Sequence, residues 1–497
     1  MRKTDRIARY ARTLTFAAAT LVAACAQQAP PTPAPPPAPA VATPAPLAPL
    51  TGAALVDDLQ KRSFLYFWET GDRPYGLVPD RYPYKEAFSS IAAIGFGLTA
   101  YAIGAEHGWI TREQARERTL VTLRFFANAR QGPELKGTSG YKGFFHHFLN
   151  LENGTRYSSW VELSSVDTTL LLGGVLFAQS YYDRDDAPET EIRTLAETIY
   201  GRVDWPFMQV RPPALSMGWH PETGFIPHDW IGYNEAMLVY VLALGSPTHP
   251  IGPEAWTAWT QGYAQGWGTY QGQEHLNFGP LFGHQYSHVW IDFRGIADAY
   301  MRGKGIDYFE NSRRATYAQR SYAVENPMGW ADYGENVWGL TASDGPQATV
   351  QSYRGTLREF RHYSARGAAL VAGWDDGTIA PTAAASSMPF APEIVQPAIE
   401  EMYRRYGKVI YSTYGFLDAF NRSYAFTSPA LQYGRQVEGF GWVADDWLGI
   451  DQGPIVAMIE NHRNGFVWNV MRKNAHIRRG LERAGFTGGW LDEGKPR

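Results

Sequence analysis

The sequence predicts an all-α body whose simplest packing is two concentric rings of six helices, an (α/α)6 toroid with long functional loops. Three observations predict it. About twelve stretches carry apolar residues at helical spacing. Two of them, residues 89–108 and 165–182, are small and apolar nearly all round, as helices buried on every side must be. No alternation of strand and helix runs along the chain, which argues against a parallel α/β sheet. A two-domain helical body, broken near 329–391, is the alternative reading.

The N-terminus reads as an address. Arg2, Lys3, Arg6 and Arg9 stand against one acid, Asp5, and an apolar run follows to Ala24. A basic stretch, a short apolar run and small residues before a cut site define a secretory signal over residues 1–24. The run is shorter than the ~20 residues a membrane-spanning helix needs. It stops at Val22-Ala23-Ala24-Cys25, which resembles a bacterial lipobox. That resemblance implies a lipidated Cys25 and, with Ala26 next, an anchor in the outer membrane facing the periplasm. Cys25 is the only cysteine, so a disulfide within the chain is excluded. Residues 25–50 hold this cysteine and a Pro/Ala-rich spacer of extended, semi-rigid character. Residues 51–497 are the expected folded body.

Within that body the spacing predicts helices over 55–70, 89–108, 111–127, 165–182, 188–203 and 234–244. It predicts six more over 253–265, 288–301, 307–324, 392–406, 454–463 and 465–484. Thr111 and Gln114 have capping-box spacing, and Pro188 suits a first turn. Short strands are expected at 144–149 and 214–219. The loops between helices are long and rich in Gly, Pro, Trp and His, and loops of that length are often functional.

Composition narrows the function. Charged residues are 19% of the chain, below the typical ~25%, and the net charge is −4, so no basic field attracts nucleic acid. Seventeen Trp and 29 Tyr offer flat faces with polar handles, which suit sugar rings as well as a core. The sequence holds no HExxH, paired CxxC or EF-hand pattern, and the adjacent His146-His147 lacks the spacing of one helix face. The Gly-x-Ser-x-Gly elbow is absent. No metal or cofactor is therefore expected.

What remains is carboxylates among aromatics, the equipment that breaks glycosidic bonds. In GFIPHDWIGYNE, Glu235 opens an apolar helix beside Trp230 and Tyr233; the competing reading is a charge that complements the helix dipole. In WVELSSVD, Glu162 and Asp167 stand at the entrance of a buried helix, where Ser164 or Ser165 could cap. In YGFLDAFN, Asp418 is ringed by apolar residues and needs a partner, such as Arg422, or a purpose. In GPLFGHQYSHVWIDFR, His284, Gln285, Tyr286, His288, Asp292 and Arg294 crowd one junction, as sugar contacts or as a paired polar network. Asp344, Asp375 and Asp376 are loop acids that suit turns.

These phrases resemble a known family. GFIPHDWIGYNEA, FGPLFGHQYSHVWIDFRGI, WGLTASDGP, DGTIAPTAAASSMPFAPE, YGFLDAFN and DDWLGIDQGPIVAMIEN are similar to the bacterial glucoamylase-like domain, which includes the β-1,2-glucanases of glycoside hydrolase family 144. The likeness runs from about Leu55 to Ala484. It implies an (α/α)6 barrel and inverting hydrolysis of β-1,2-glucan, with Glu235 as general acid. For the base it leaves Asp418 first, with Asp167 and Glu162 as competitors. It implies sugar contacts at His284, Gln285, Tyr286, Asp292, Arg314, Trp338 and Asp344, and Tyr233 joins them as the neighbour of Glu235. The expected partners are an oligo- or polysaccharide and, through the anchor alone, a membrane. A non-catalytic glucan-binding lipoprotein feeding an uptake system is the main alternative, and a polysaccharide lyase a third.

Overall fold

The computed structural model describes residues 50–83, 87–370 and 373–493. The expected signal peptide, Cys25 and all of the spacer but Leu50 lie outside the described residues. Residues Pro46–Arg497 cluster as one unit, with no division near 329–391.

The described residues are mostly helical. The helices are α1 (Gly52–Thr70), α2 (Ile91–Glu106), α3 (Arg112–Asn128), α4 (Ser165–Tyr181), α5 (Ala187–Gly201), α6 (Met237–Gly245), α7 (Glu254–Thr260) and α8 (Tyr263–Gly266). They continue as α9 (Phe282–Trp290), α10 (Ala299–Lys304), α11 (Tyr308–Glu325), α12 (Pro381–Ala385), α13 (Pro392–Ile410), α14 (Gly449–Asn464), α15 (Phe466–Met471) and α16 (Ala475–Arg483). The helices α2, α4, α6, α9, α12 and α14 are buried along most of their length. α2 packs on α4, α4 on α6, α6 on α9, α12 on α14, and α14 on α2. Gln285 joins α9 to α12 by donating to Ala383 O at 2.8 Å. The other long helices lie against these: α1 on α14 and α2, α3 and α5 on each other, α11 on α9, α13 on α12, α16 on α6.

Glycine sets the closest of these approaches. A Cβ on Gly95 of α2 would stand 2.1 Å from Leu170 O, and one on Gly174 of α4 would stand 2.0 Å from Gly95 O. Both distances are far inside van der Waals contact, so alanine at either position forces the two backbones apart.

Several expected boundaries are corrected. The segment 288–301 is not one helix. Helix α9 begins earlier and ends at Trp290, where Ile291 turns extended (φ −115°, ψ 122°). Asp292 then accepts from Arg294 N, and Asp298 caps α10. The expected helix 465–484 is likewise two, parted where Asn474 accepts from His476 N and Ile477 N. The stretch 253–265 breaks into α7 and α8. α14 is helical from Gly449, ahead of Pro454, which lies inside it. At five residues, α12 is too short for periodicity to reveal.

The loops are not purely irregular, so the all-α description needs amending. Short antiparallel strands fill them, including a five-stranded sheet of Gly140–Tyr141, Phe144–His146, Leu163–Ser164, Gly218–His220 and Gly224–Phe225 in that order. Strands deliver the chain into three buried helices. Phe88–Ser90 runs into α2, Leu163–Ser164 into α4, and Trp447–Leu448 into α14. Ser90 and Ser164 cap the first two, accepting from Ala93 N and Asp167 N.

Candidate active site

The N-terminal ends of these helices converge on a cavity of about 450 Å³, within the range of small-molecule sites. Ser90 precedes α2; Val166, Asp167 and Leu170 belong to α4; Glu235 precedes α6. Phe282 and Tyr286 come from α9, and Leu448 and Ile450 from the entrance of α14. Short strands and loops add Asp80, Arg81, Phe88, His147, Phe148, Trp160, Ala342 and Tyr363.

Glu235 sits in the turn just ahead of α6. Ser287 fixes that turn by donating to Glu235 O at 3.1 Å while accepting from Leu238 N. Glu235 is half-buried; its Oε2 is shielded from solvent and has no hydrogen-bond partner among the described residues. Burial pushes its pKa up to about 7, with the nearby Asp167 adding to the rise. The helix dipole would favour an anion here; the loss of hydration outweighs it.

Asp167 is the next carboxyl. Ser164 donates to its Oδ2 at 2.6 Å, and its Oδ1 lies 3.4 Å from His147 Nε2. Burial raises its pKa, and His147 pulls the other way. The opposite nitrogen of the same ring, Nδ1, lies 2.9 Å from Glu162 Oε1. Burial alone would neutralise this imidazole, but Asp167 and Glu162 outweigh it and lift His147 to about 9. It is therefore a cation at neutral pH. His147, Glu162 and Asp167 bring donor atoms within 4.8 Å of one another. Both imidazole nitrogens already face carboxylates, so the cluster is satisfied as two ion pairs.

A second charged group borders the cavity around Arg81. Its Nη1 lies 2.8 Å from Asp344 Oδ2 and 2.9 Å from Asp446 Oδ2, and its Nε 3.3 Å from Asp80 Oδ2. Burial works against the guanidinium, but these carboxylates hold it firmly charged. Behind them, Asp344 N donates to Asp418 Oδ2 at 2.8 Å. Burial raises both Asp418 and Asp451, and the nearby Asp344 carboxylate adds to both rises. Asp451 acts electrostatically on Tyr286 and Tyr363, which face the cavity.

The mouth is aromatic. Trp160 is 54% exposed, with ring centroids 5.5 Å from Phe148 and 6.3 Å from both Phe88 and Tyr157. Such a platform can stack on the C–H face of a sugar.

Of the residues singled out in the sequence, Glu235, Asp167 and Tyr286 line the cavity. Glu162 stands behind His147, Asp344 beneath Arg81, and Asp418 behind Asp344. Tyr233 and His284 pack on each other within the core, with ring centroids 5.0 Å apart. Gln285, Asp292, Arg314 and Trp338, expected as sugar contacts, do not line this cavity. On α9 the cavity-facing residues are Phe282 and Tyr286, one turn apart. Gln285 turns to α12, and Asp292 lies past the far end of the helix, ion-paired with Arg294 and Arg472. Arg314 binds Glu310 and Glu274 O, and Trp338 is a core residue. Sequence reasoning missed Asp80, Arg81, His147, Phe148 and Tyr363. The signal for His147 was its distance from Glu162, 15 residues, bridged by antiparallel strands.

Comparison with known proteins gives concordant results. The family model described as "Putative glucoamylase" matches residues 227–475. A crystal structure from Bacteroides uniformis bearing the same description is 32% identical, covers 89% of this chain and 99% of its own, and superposes with a TM-score of 0.74. The endo-β-1,2-glucanase from Chitinophaga pinensis, solved with sophorotriose and glucose, is 27% identical over 89% of this chain and 100% of its own, with a TM-score of 0.75. A curated relative, the exo β-1,2-glucooligosaccharide sophorohydrolase (non-reducing end) of Parabacteroides distasonis, is 29% identical over 88% of this chain. The chain spans 58% of that relative's length. With a model match over half its length and a near full-length relative at 32% identity, the chain belongs to the glucoamylase-like family.

Proposed function

We propose that this chain is an inverting glycoside hydrolase of β-1,2-glucan, built as an (α/α)6 toroid, with Glu235 as the general acid. The observation that carries the reading is Glu235 itself: a half-buried residue whose carboxyl faces a sugar-sized cavity and is half protonated near pH 7. A general acid needs that value to hold a proton and still release it. The names of the relatives from Chitinophaga pinensis and Parabacteroides distasonis support the linkage. The toroid is supported by the cyclic order of contacts, α2 to α4, α6, α9, α12, α14 and back to α2.

In this mechanism Glu235 gives its proton to the bridging oxygen as the bond to the anomeric carbon breaks. Water adds from the other face, and its proton passes to a carboxylate. For direct transfer the two carboxyl groups stand ~6.5–9.5 Å apart. Asp418 is the proposed acceptor, acting with Asp451. Because it stands behind Asp344, the proton reaches it through a sugar hydroxyl or a second water. Asp167 is the competing acceptor, favoured by its place on the cavity surface. Azide separates them: it restores turnover in the alanine variant of the true base, giving an α-glucosyl azide, and leaves the other variant unchanged.

Glu235→Gln tests the acid. It keeps glucan binding and loses nearly all turnover, whereas a fully active variant refutes the assignment. A non-catalytic binding protein releases no reducing ends from linear β-1,2-glucan. Turnover of β-1,3- or β-1,4-glucan in preference to β-1,2-glucan refutes the linkage. The signal-like N-terminus and Cys25 support a lipid-anchored, outer-membrane location facing the periplasm. Radiolabelled palmitate incorporated by the wild type and lost in Cys25→Ser tests it.

A further inference from the structure

We propose that His147 is a positioning residue: a cation clasped between Glu162 and Asp167 that holds the Asp167 carboxylate at the cavity surface beside Glu235. The inference rests on the reading of Glu235 as the acid. The geometry is bidirectional, with Nδ1 at 2.9 Å from Glu162 Oε1 and Nε2 at 3.4 Å from Asp167 Oδ1. Backbone bonds and a ring stack hold His147 in this place. His147 N donates to Glu162 O at 3.0 Å, and its carbonyl accepts from Ile91 N at 3.2 Å. Its face stacks on Phe148, centroids 3.8 Å apart. The backbone thus pins the ring to the strand that enters α4 and to the first residue of α2.

The surrounding charges leave this task to His147. Asp80, Glu162 and Asp167 act on it as anions. Arg156 is committed to Glu222, Val161 O and Ser159 O. Arg81 is committed to Asp80, Asp344 and Asp446. His220 acts on Glu162 from the neighbouring strand. Among the described residues, the cation within ion-pair distance of Asp167 is His147.

A cation beside Asp167 favours its ionised form, and His147 lowers the Asp167 pKa against the rise that burial imposes. Removing the cation raises the pKa of Asp167.

The test is the pH profile of His147→Gln on short β-1,2-glucooligosaccharides. Glutamine keeps the volume and one hydrogen bond but loses the charge. The acidic limb of kcat moves up by about one unit, the size of one close charge. KM stays within about twofold while kcat falls about tenfold or more, the scale of misplaced acid–base groups. His147→Lys, which restores a cation, widens the profile again. An acidic limb that coincides with wild type, whatever the fall in kcat, overturns the proposal. Should His147→Gln not fold, nitrogen-15 NMR of the wild-type imidazole decides. A ring still protonated on both nitrogens at pH 8 supports the clasp, and one that titrates near pH 6.5 overturns it. That readout is independent of Glu235, so a failure of the acid assignment shows in Glu235→Gln and leaves the NMR result standing.

Discussion

The His147 group and the Arg81 group each place one cation among several carboxyls, yet they stand differently to the cavity. In the first, His147 pairs with Glu162 and Asp167, and burial raises the neighbouring Glu235 to about 7. In the second, Arg81 pairs with Asp80, Asp344 and Asp446, and burial raises Asp418 and Asp451 behind them. In both places a cation opposes the rise that burial imposes on the carboxyls it touches. The difference that matters for chemistry is exposure to the cavity. Glu235 meets it, whereas Asp418 and Asp451 do not line it.

The largest expected effect follows from that contrast. Glu235→Gln lowers kcat by about 10³-fold, within the ~10²–10⁴ range of a lost general acid. Asp418→Asn also abolishes most turnover if its group is the proton sink. Single-turnover kinetics on a β-1,2-glucan of defined length reads both, and an Asp418→Asn enzyme with wild-type kcat moves the role to Asp167.

Next in size is the stability of the Arg81 group. Arg81→Met leaves Asp344 and Asp446 buried without their cation, at a cost of about 3–5 kcal/mol. Chemical denaturation at pH 7 measures it. A change below ~1 kcal/mol contradicts this role for Arg81.

The same logic gives Glu235 a pH-dependent stability. Its folded pKa of about 7 exceeds that of an unfolded glutamate. The stability tied to its protonated form is complete below about pH 4.3 and is lost as the pH rises through about 7. Glu235→Gln removes this loss. Its Tm relative to wild type rises between pH 4.5 and 7 and is flat above. A Tm difference independent of pH contradicts a raised pKa at this site. In the wild type, kcat/KM falls on the alkaline side as Glu235 gives up its proton.

The smallest effect belongs to the mouth. Trp160→Ala raises KM about fivefold and leaves kcat nearly unchanged, as loss of one stacking surface of ~1 kcal/mol requires. An unchanged KM removes Trp160 from the binding surface.

How much of this was legible in the sequence depended on the range of each interaction. The buried helices α2 and α4 announce themselves by small apolar residues alone, and Glu235 by its place at the head of another. Arg81 could not be seen, because two of its three carboxylates lie 263 and 365 residues away. His147 read as half of a meaningless histidine pair, because only strand register sets it against Glu162. Asp292 misled for the opposite reason. It follows a polar phrase on α9, but the helix carries it away from the cavity end, where Arg294 and Arg472 take it up. Local pattern reports which residues are buried. It does not report which end of a buried helix faces the substrate.

The measurement that tests the central claim most directly is proton NMR of the first sugar released from β-1,2-glucan. A protonated Glu235 working with water activated on the opposite face produces the α-anomer first, which then mutarotates, and Glu235→Gln yields no such signal. Initial release of the β-anomer, or an α-anomer burst undiminished in Glu235→Gln, contradicts it.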